Sequence, residues 1–292
     1  MAALTRRRLL CLPDALGVGA AGQTATWALL LFSAGTVLSA ALQRHLFEQA
    51  QTAQHWVEFN VGEAFALAAL ASQILGVRDG RMILGRSDRT VLVLAALAWF
   101  VPEAHGVYLA TTLAGAWALL RSRADPRWAG LGQIWLALSI YELWGKLVFK
   151  LVYQTIEGAE VGLIYGIGSL IYQNLGATGA SLSIRDDWSI VVLEGCSSFH
   201  NLSLAVLIWL SILKIADQPP NRATWNGLVT SFCLVVTINV ARILAMLPSR
   251  EAYHVWHDGS GSALVALVSV AAMIGPTLVR IEERACVPAR HS

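Results

Sequence analysis

Three side chains in the last hundred residues are of the types that acyl transfer requires: Cys196, Arg242 and His257. A cysteine thiolate is a nucleophile, an imidazole carries protons near neutral pH, and a fixed cation can hold a developing oxyanion. Cys196 stands in Glu194-Gly195-Cys196-Ser197-Ser198-Phe199-His200, where an apolar run begins. Unpaired amides and the positive end of a helix dipole at that position lower a thiol pKa. Arg242 lies in Asn239-Val240-Ala241-Arg242, near the end of the next apolar run. An arginine costs roughly 2.5 to 3.5 kcal/mol at the centre of a membrane helix, so it has a partner, a task or a short route to the interface. His257 follows in His254-Val255-Trp256-His257-Asp258-Gly259-Ser260-Gly261.

Taken singly, each has a plain structural account: a packed thiol, a snorkelling arginine and a solvated loop histidine. Cys233, in mid-run with no polar neighbour, is expected simply to pack. The four cysteines, Cys11, Cys196, Cys233 and Cys286, have no paired spacing, so neither a disulfide framework nor a metal cluster is indicated. His254 and His257 are three apart, yet no His-Glu-x-x-His pattern or carboxylate cluster accompanies them, and no metal or cofactor is expected.

The elements that position these residues are membrane helices. Hydrophobic residues make up 56% of the 292 positions and charged ones 14%, against roughly 25% charged in soluble domains. Nothing indicates nucleic-acid binding. Apolar runs fall at about 26–42, 61–77, 90–101, 106–120, 130–152, 199–215, 225–247 and 262–279. They predict an all-α polytopic membrane protein of about eight transmembrane helices. The third and fourth runs are short, which leaves a single span or a re-entrant hairpin open there. The arginines at 6–8, 78–89, 121–127 and 280–290, with Lys214 and Arg222, fall on one side when eight crossings are counted, as the positive-inside rule requires. The expected layout is a cytoplasmic N-terminus (1–25), five spans (26–152), an extracytoplasmic segment (153–198), three spans carrying the site (199–279) and a cytoplasmic tail (280–292).

Thr5-Arg6-Arg7-Arg8 reads as a retained cytoplasmic anchor rather than an export signal. Trp56, Trp188 and Trp256 are expected at the outer interface, and Trp27, Trp128 and Trp225 at the inner one. The glycine-rich run 161–175 is expected as a separate surface or re-entrant helix. Residues 177–193 read as two short strands around Arg185-Asp186-Asp187, a β-hairpin-like segment ahead of the cysteine helix. This layout brings Cys196, Arg242 and His257 to one face of the bilayer.

Glu194-Gly195-Cys196-Ser197-Ser198, Asn239-x-x-Arg242 and His257-x-x-x-Gly261 together resemble the exosortases and archaeosortases, multispanning enzymes that process C-terminal sorting tails. The likeness covers the final third of the chain. It implies Cys196 as nucleophile, His257 as general acid and base, and Arg242 as the group that orients the substrate carbonyl or stabilises its oxyanion. It also implies substrate contacts from Ser197, Asn239 and Gly261. Partners would be secreted proteins bearing a short motif, a transmembrane helix and a basic cluster, with the lipid bilayer as the medium. A polysaccharide or lipid could accept the acyl group. The implied location is the bacterial inner membrane, with the site on the extracytoplasmic face. His254 fits less well, because Asp258 stands four residues beyond it instead of glycine. Ser198 replaces a glycine common in the family, and His200, further along the helix, is expected to point elsewhere. Glu142, Lys146 and Lys150 share a helix face; a structural pair is the first reading, and a basic lining in which Lys146 meets the carboxylate of the tail is the second. The competing function is a transporter or an envelope-polysaccharide assembly factor, with Arg242 and Lys146 on a polar path.

Overall fold

An apolar segment in hydrocarbon must pair its own amides, so the runs become helices wherever caps permit. The computed structural model describes residues 20–48, 60–76, 82–185, 187–192 and 197–285. The first four helices are α1 (Ala20–Glu48), α2 (Val61–Leu75), α3 (Arg86–Ala96) and α4 (Leu109–Arg121). A long rod follows: α5 (Arg127–Ser139), one π turn (Ile140–Trp144) and α6 (Gly145–Gly168). Strands β1 (Gly176–Thr178), β2 (Ser181–Arg185) and β3 (Trp188–Val191) form an antiparallel sheet in sequence order. Helices α7 (Ser198–Ile215), α8 (Arg222–Met246), α9 (Arg250–His257) and α10 (Ser260–Ala285) complete the described chain.

Among the described residues four helical segments are long and apolar enough to cross a membrane: Gly22–Leu46, Ser198–Ile215, Arg222–Met246 and Ser260–Glu283. The protein is thus mostly helical and membrane-like, but four of the eight expected runs do not reach that standard. Helix α2 is apolar yet only 15 residues long. Runs three and four are two short helices, each extended by a 3-10 turn (Leu97–Phe100 and Gly106–Tyr108), packed on one another rather than fused.

The fifth run departs from expectation most. It does not stop near residue 152, and 161–175 is not a separate surface helix; one helical path runs from Arg127 to Gly168, about 60 Å at 1.5 Å per residue. Residues 153–160 turn polar but contain no proline and no cap, and polarity alone does not end a helix. A segment boundary at 153 therefore falls in the middle of a helix.

The hairpin expectation holds for β2 and β3, which flank positions 186 and 187, and β1 adds a third strand. The β1–β2 turn passes through Gly179, whose φ of 60° is open to glycine at no steric cost. The main core lies among α1 to α5 and α7, around the fully buried Trp128, Trp135 and Tyr108. Trp128 is therefore a core residue, not a member of an interfacial belt. Trp27 and Trp225 are exposed, and Trp56 lies outside the described residues. A second core, built from α6, the sheet and the end of α8, underlies the site. It includes Ile164, Leu182, Ile190 and Ile243.

Candidate functional site

The described chain resumes at Ser197, the N-cap of α7, whose hydroxyl accepts from the Phe199 amide at 3.2 Å. Cys196, with Glu194 and Gly195, lies outside the described residues. The next free amide of the helix end, that of Ser198, donates to Glu160 Oε1 at 2.7 Å. A carboxylate suits that position because it meets both an unpaired N–H and the positive end of the helix dipole. Ser198 Oγ in turn lies 3.1 Å from Asn239 Nδ2 on α8. Ser197, Ser198 and Asn239 are all buried.

One turn further along α8, Arg242 donates from Nε to the carbonyl of Trp256 at 3.0 Å. Among the described residues its Nη groups have no other hydrogen-bond partner. Helix α9 is capped by Ser249, which accepts from Ala252 N at 3.2 Å, and ends at His257. The His257 ring stacks on Tyr253 (centroids 4.7 Å apart, planes at 13°), and Tyr253 meets Trp188 of β3 edge-on at 5.8 Å. His257 Nδ1 lies 2.6 Å from Asp258 Oδ1. An ionised carboxylate only accepts, so Nδ1 carries the hydrogen and Nε2 is left as the basic nitrogen. The same hydrogen bond holds the Asp258 carboxyl below its ordinary range.

The Asn239-x-x-Arg242 motif is thus a two-point clamp. Asn239 grips the residue two beyond Cys196, and Arg242 grips the residue before His257. At Gly261 a Cβ would stand 2.7 Å from the Trp256 indole, so glycine lets α10 begin against that ring. His254 is exposed, with Nδ1 3.5 Å from Asp258 Oδ2. Cys233 does not pack as expected. It is exposed on α8, in the wall of an apolar cleft.

That cleft, about 860 Å³, runs between the end of α6 and the flank of α8, past Leu163, Ile167, Val236 and Ala241. A smaller cavity of about 280 Å³ shares Leu163, Leu202, Val236 and Val240 with it and reaches Glu160, Ser198 and Asn239. On the other side of the first turn of α7 lies a third cavity, about 230 Å³, lined by Lys146, Ser197, His200 and Asn201, with Phe199 lining both sides. Lys146 thus shares a cavity with Ser197. His200 faces the same cavity and stacks on Tyr141 at 4.7 Å.

Glu160 and Asp258 were not among the expected site residues. Asp258 is visible in the sequence as the carboxylate beside His257. Glu160 offered no signal, since its partner is 38 positions away.

No family model, curated protein or solved structure matches this chain.

Proposed function

We propose that the protein is a membrane cysteine protease and transpeptidase of the exosortase type, acting on C-terminal sorting tails of secreted proteins. The observation that carries the reading is the clamp: Asn239 and Arg242, one turn apart on α8, bind the segments that adjoin Cys196 and His257. Two motifs far apart in the sequence thereby gain a common support, as an acyl-transfer site needs.

In this reading the Cys196 thiol gives its proton to His257 Nε2, and the thiolate adds to the scissile carbonyl carbon. The free Nη hydrogens of Arg242 meet the oxyanion. As the carbonyl re-forms, the C–N bond breaks and the leaving amine takes the proton from His257, leaving a thioester. Water, or an amine or hydroxyl of an acceptor, then adds to the thioester while His257 takes its proton. The Cys196 sulfur departs as the thiol with that proton. Asp258 fixes the His257 tautomer throughout. The apolar cleft shares a wall with the smaller cavity that reaches Ser198, and it suits the hydrocarbon-bound helix of a tail, which would enter from the bilayer. The chain would cross the bacterial inner membrane eight times, with both termini cytoplasmic and the site on the extracytoplasmic face; the short runs would then cross as part of the bundle.

Coexpression with a tail-bearing reporter tests this. Cys196→Ala should abolish cleavage and a hydroxylamine-sensitive adduct, and Cys233→Ala should leave both intact. Normal processing in the Cys196 variant would overturn the assignment. The competing reading, a transporter or polysaccharide assembly factor, draws on the charged cluster around Glu142 and predicts that Cys196 is dispensable.

A further inference from the structure

Among the described residues a dense group of ionisable side chains lies at the π turn. Glu142, only 1% exposed, receives Asn60 Nδ2 on one oxygen and Lys146 Nζ at 3.1 Å on the other. His105 Nδ1 lies 3.2 Å from Lys146 Nζ and 3.7 Å from Glu142 Oε2. Behind them Glu63 is held by Arg44, at 2.7 and 3.0 Å, and by the hydroxyl of Tyr108. Four separate segments of an apolar chain converge here, at a cost that membrane proteins rarely bear without a use.

The cluster is ordered by depth. The side chain of Glu142 is 1% exposed, whereas those of Lys146 and His105 are 29% and 32% exposed. The acid lies behind and the cation in front. In front of Lys146 is the 230 Å³ cavity, whose other walls are Ser197, His200, Asn201 and the rings of Phe149 and Phe199. Tyr141, on the π turn, stacks on His200 and ties the turn to α7. Among the described residues the carboxylate bound at this helix end, Glu160, lines the opposite cavity. A group entering the polar cavity therefore meets an ammonium first and an acid only beyond it, and it does so beside the positive end of α7. The volume suits a carboxylate or phosphate on a short apolar stem, not a helix.

We propose that this cavity is an anion subsite, in which Lys146 binds a carboxylate or phosphate oxygen and Glu142, Asn60 and His105 act as positioning residues that hold the ammonium at its mouth. The assignment goes beyond the acyl-transfer reading and holds whether or not Cys196 is a nucleophile. The full-length protein in phosphatidylcholine nanodiscs tests it by calorimetric titration. One arm uses a short glutamate-containing peptide against its glutamine counterpart, the other a short-chain phosphatidic acid against the matching diacylglycerol. The charged member of at least one pair should bind more tightly, and Lys146→Met should weaken that binding by about tenfold, the worth of a lost charge-assisted hydrogen bond. A response in the peptide arm identifies a protein carboxylate, and one in the lipid arm a headgroup. Lys146→Met leaves Glu142 without its cation and can lose the fold, so the double variant Glu142→Gln/Lys146→Met provides the same comparison without a stranded charge. Glu142→Gln alone should keep or strengthen anion binding. Equal binding of charged and neutral members in both arms, or undiminished anion binding by the folded double variant, would overturn the proposal. Anion binding without reporter cleavage would leave it standing and count against the protease alone.

Discussion

The two sides of the first turn of α7 differ in almost every respect. On one side an apolar cleft along α6 and α8 adjoins a cavity walled in part by Glu160; on the other, a small cavity faces Lys146 and a buried ionic network. The same helix start borders both. Two chemically distinct components can therefore reach one point without competing for space, a hydrocarbon-bound segment from one side and a polar group from the other.

Substitutions on each side should break this contrast in different ways. The largest effect is expected from Lys146→Met, which leaves the Glu142 carboxylate, 1% exposed, without its cation; breaking such a buried pair costs about 3 to 5 kcal/mol. Thermal unfolding in nanodiscs measures it, and an unchanged transition would reduce the polar side to ornament. Next comes Asn239→Ala, which removes the bond to the buried Ser198 hydroxyl at a cost of about 1 to 3 kcal/mol. Cleavage should fall with it, and the Asn239→Leu variant, which keeps the volume but neither donates nor accepts, should not restore it.

On the apolar side, Leu163→Trp fills the shared wall of the two joined cavities. KM for a tail-bearing reporter should rise about tenfold, with anion binding in the polar cavity unchanged. A matching loss of both would show that the two sides are one site. The smallest effect is expected from Asp258→Asn, about threefold in kcat, because the pair with His257 is solvent-exposed. Asp258 has a depressed carboxyl pKa in the folded chain. Its hold on His257 is thus fully present above the ordinary aspartate value of 3.8 and is lost only as pH falls through the lower folded value. The wild-type rate should show no inflection from this carboxyl between pH 5 and pH 8; one that vanished in Asp258→Asn would contradict the assignment.

The contrast was legible in the sequence on one side only. Hydropathy located α7, α8 and α10, and the Arg-Asp-Asp turn marked β2 and β3, because period and turn chemistry are local signals. The Asn239 and Arg242 spacing was readable for the same reason, as one turn of one helix. In the ionic network only the Glu142 and Lys146 pair is local. Arg44, Asn60, Glu63, His105 and Tyr108 meet it through tertiary packing of three other segments, which no single-chain periodicity reports. The continuity of α6 is not legible in hydropathy, because residues 153–160 change from apolar to polar without ending the helix. The shift marks instead a change of surroundings.

The π turn has a consequence for the frame of everything above it. One residue more than an α turn holds advances the helix by about 100°. Below it, α5 turns eight of its thirteen residues inward; above it, α6 buries only four of twenty-four. The turn acts as a fixed angular offset between a stator and the arm it carries. Deleting a single residue within 140–144 would leave the rod's composition nearly intact, yet it would swing Lys146 and Glu160 together by about 100°, taking both side chains off α7 at once.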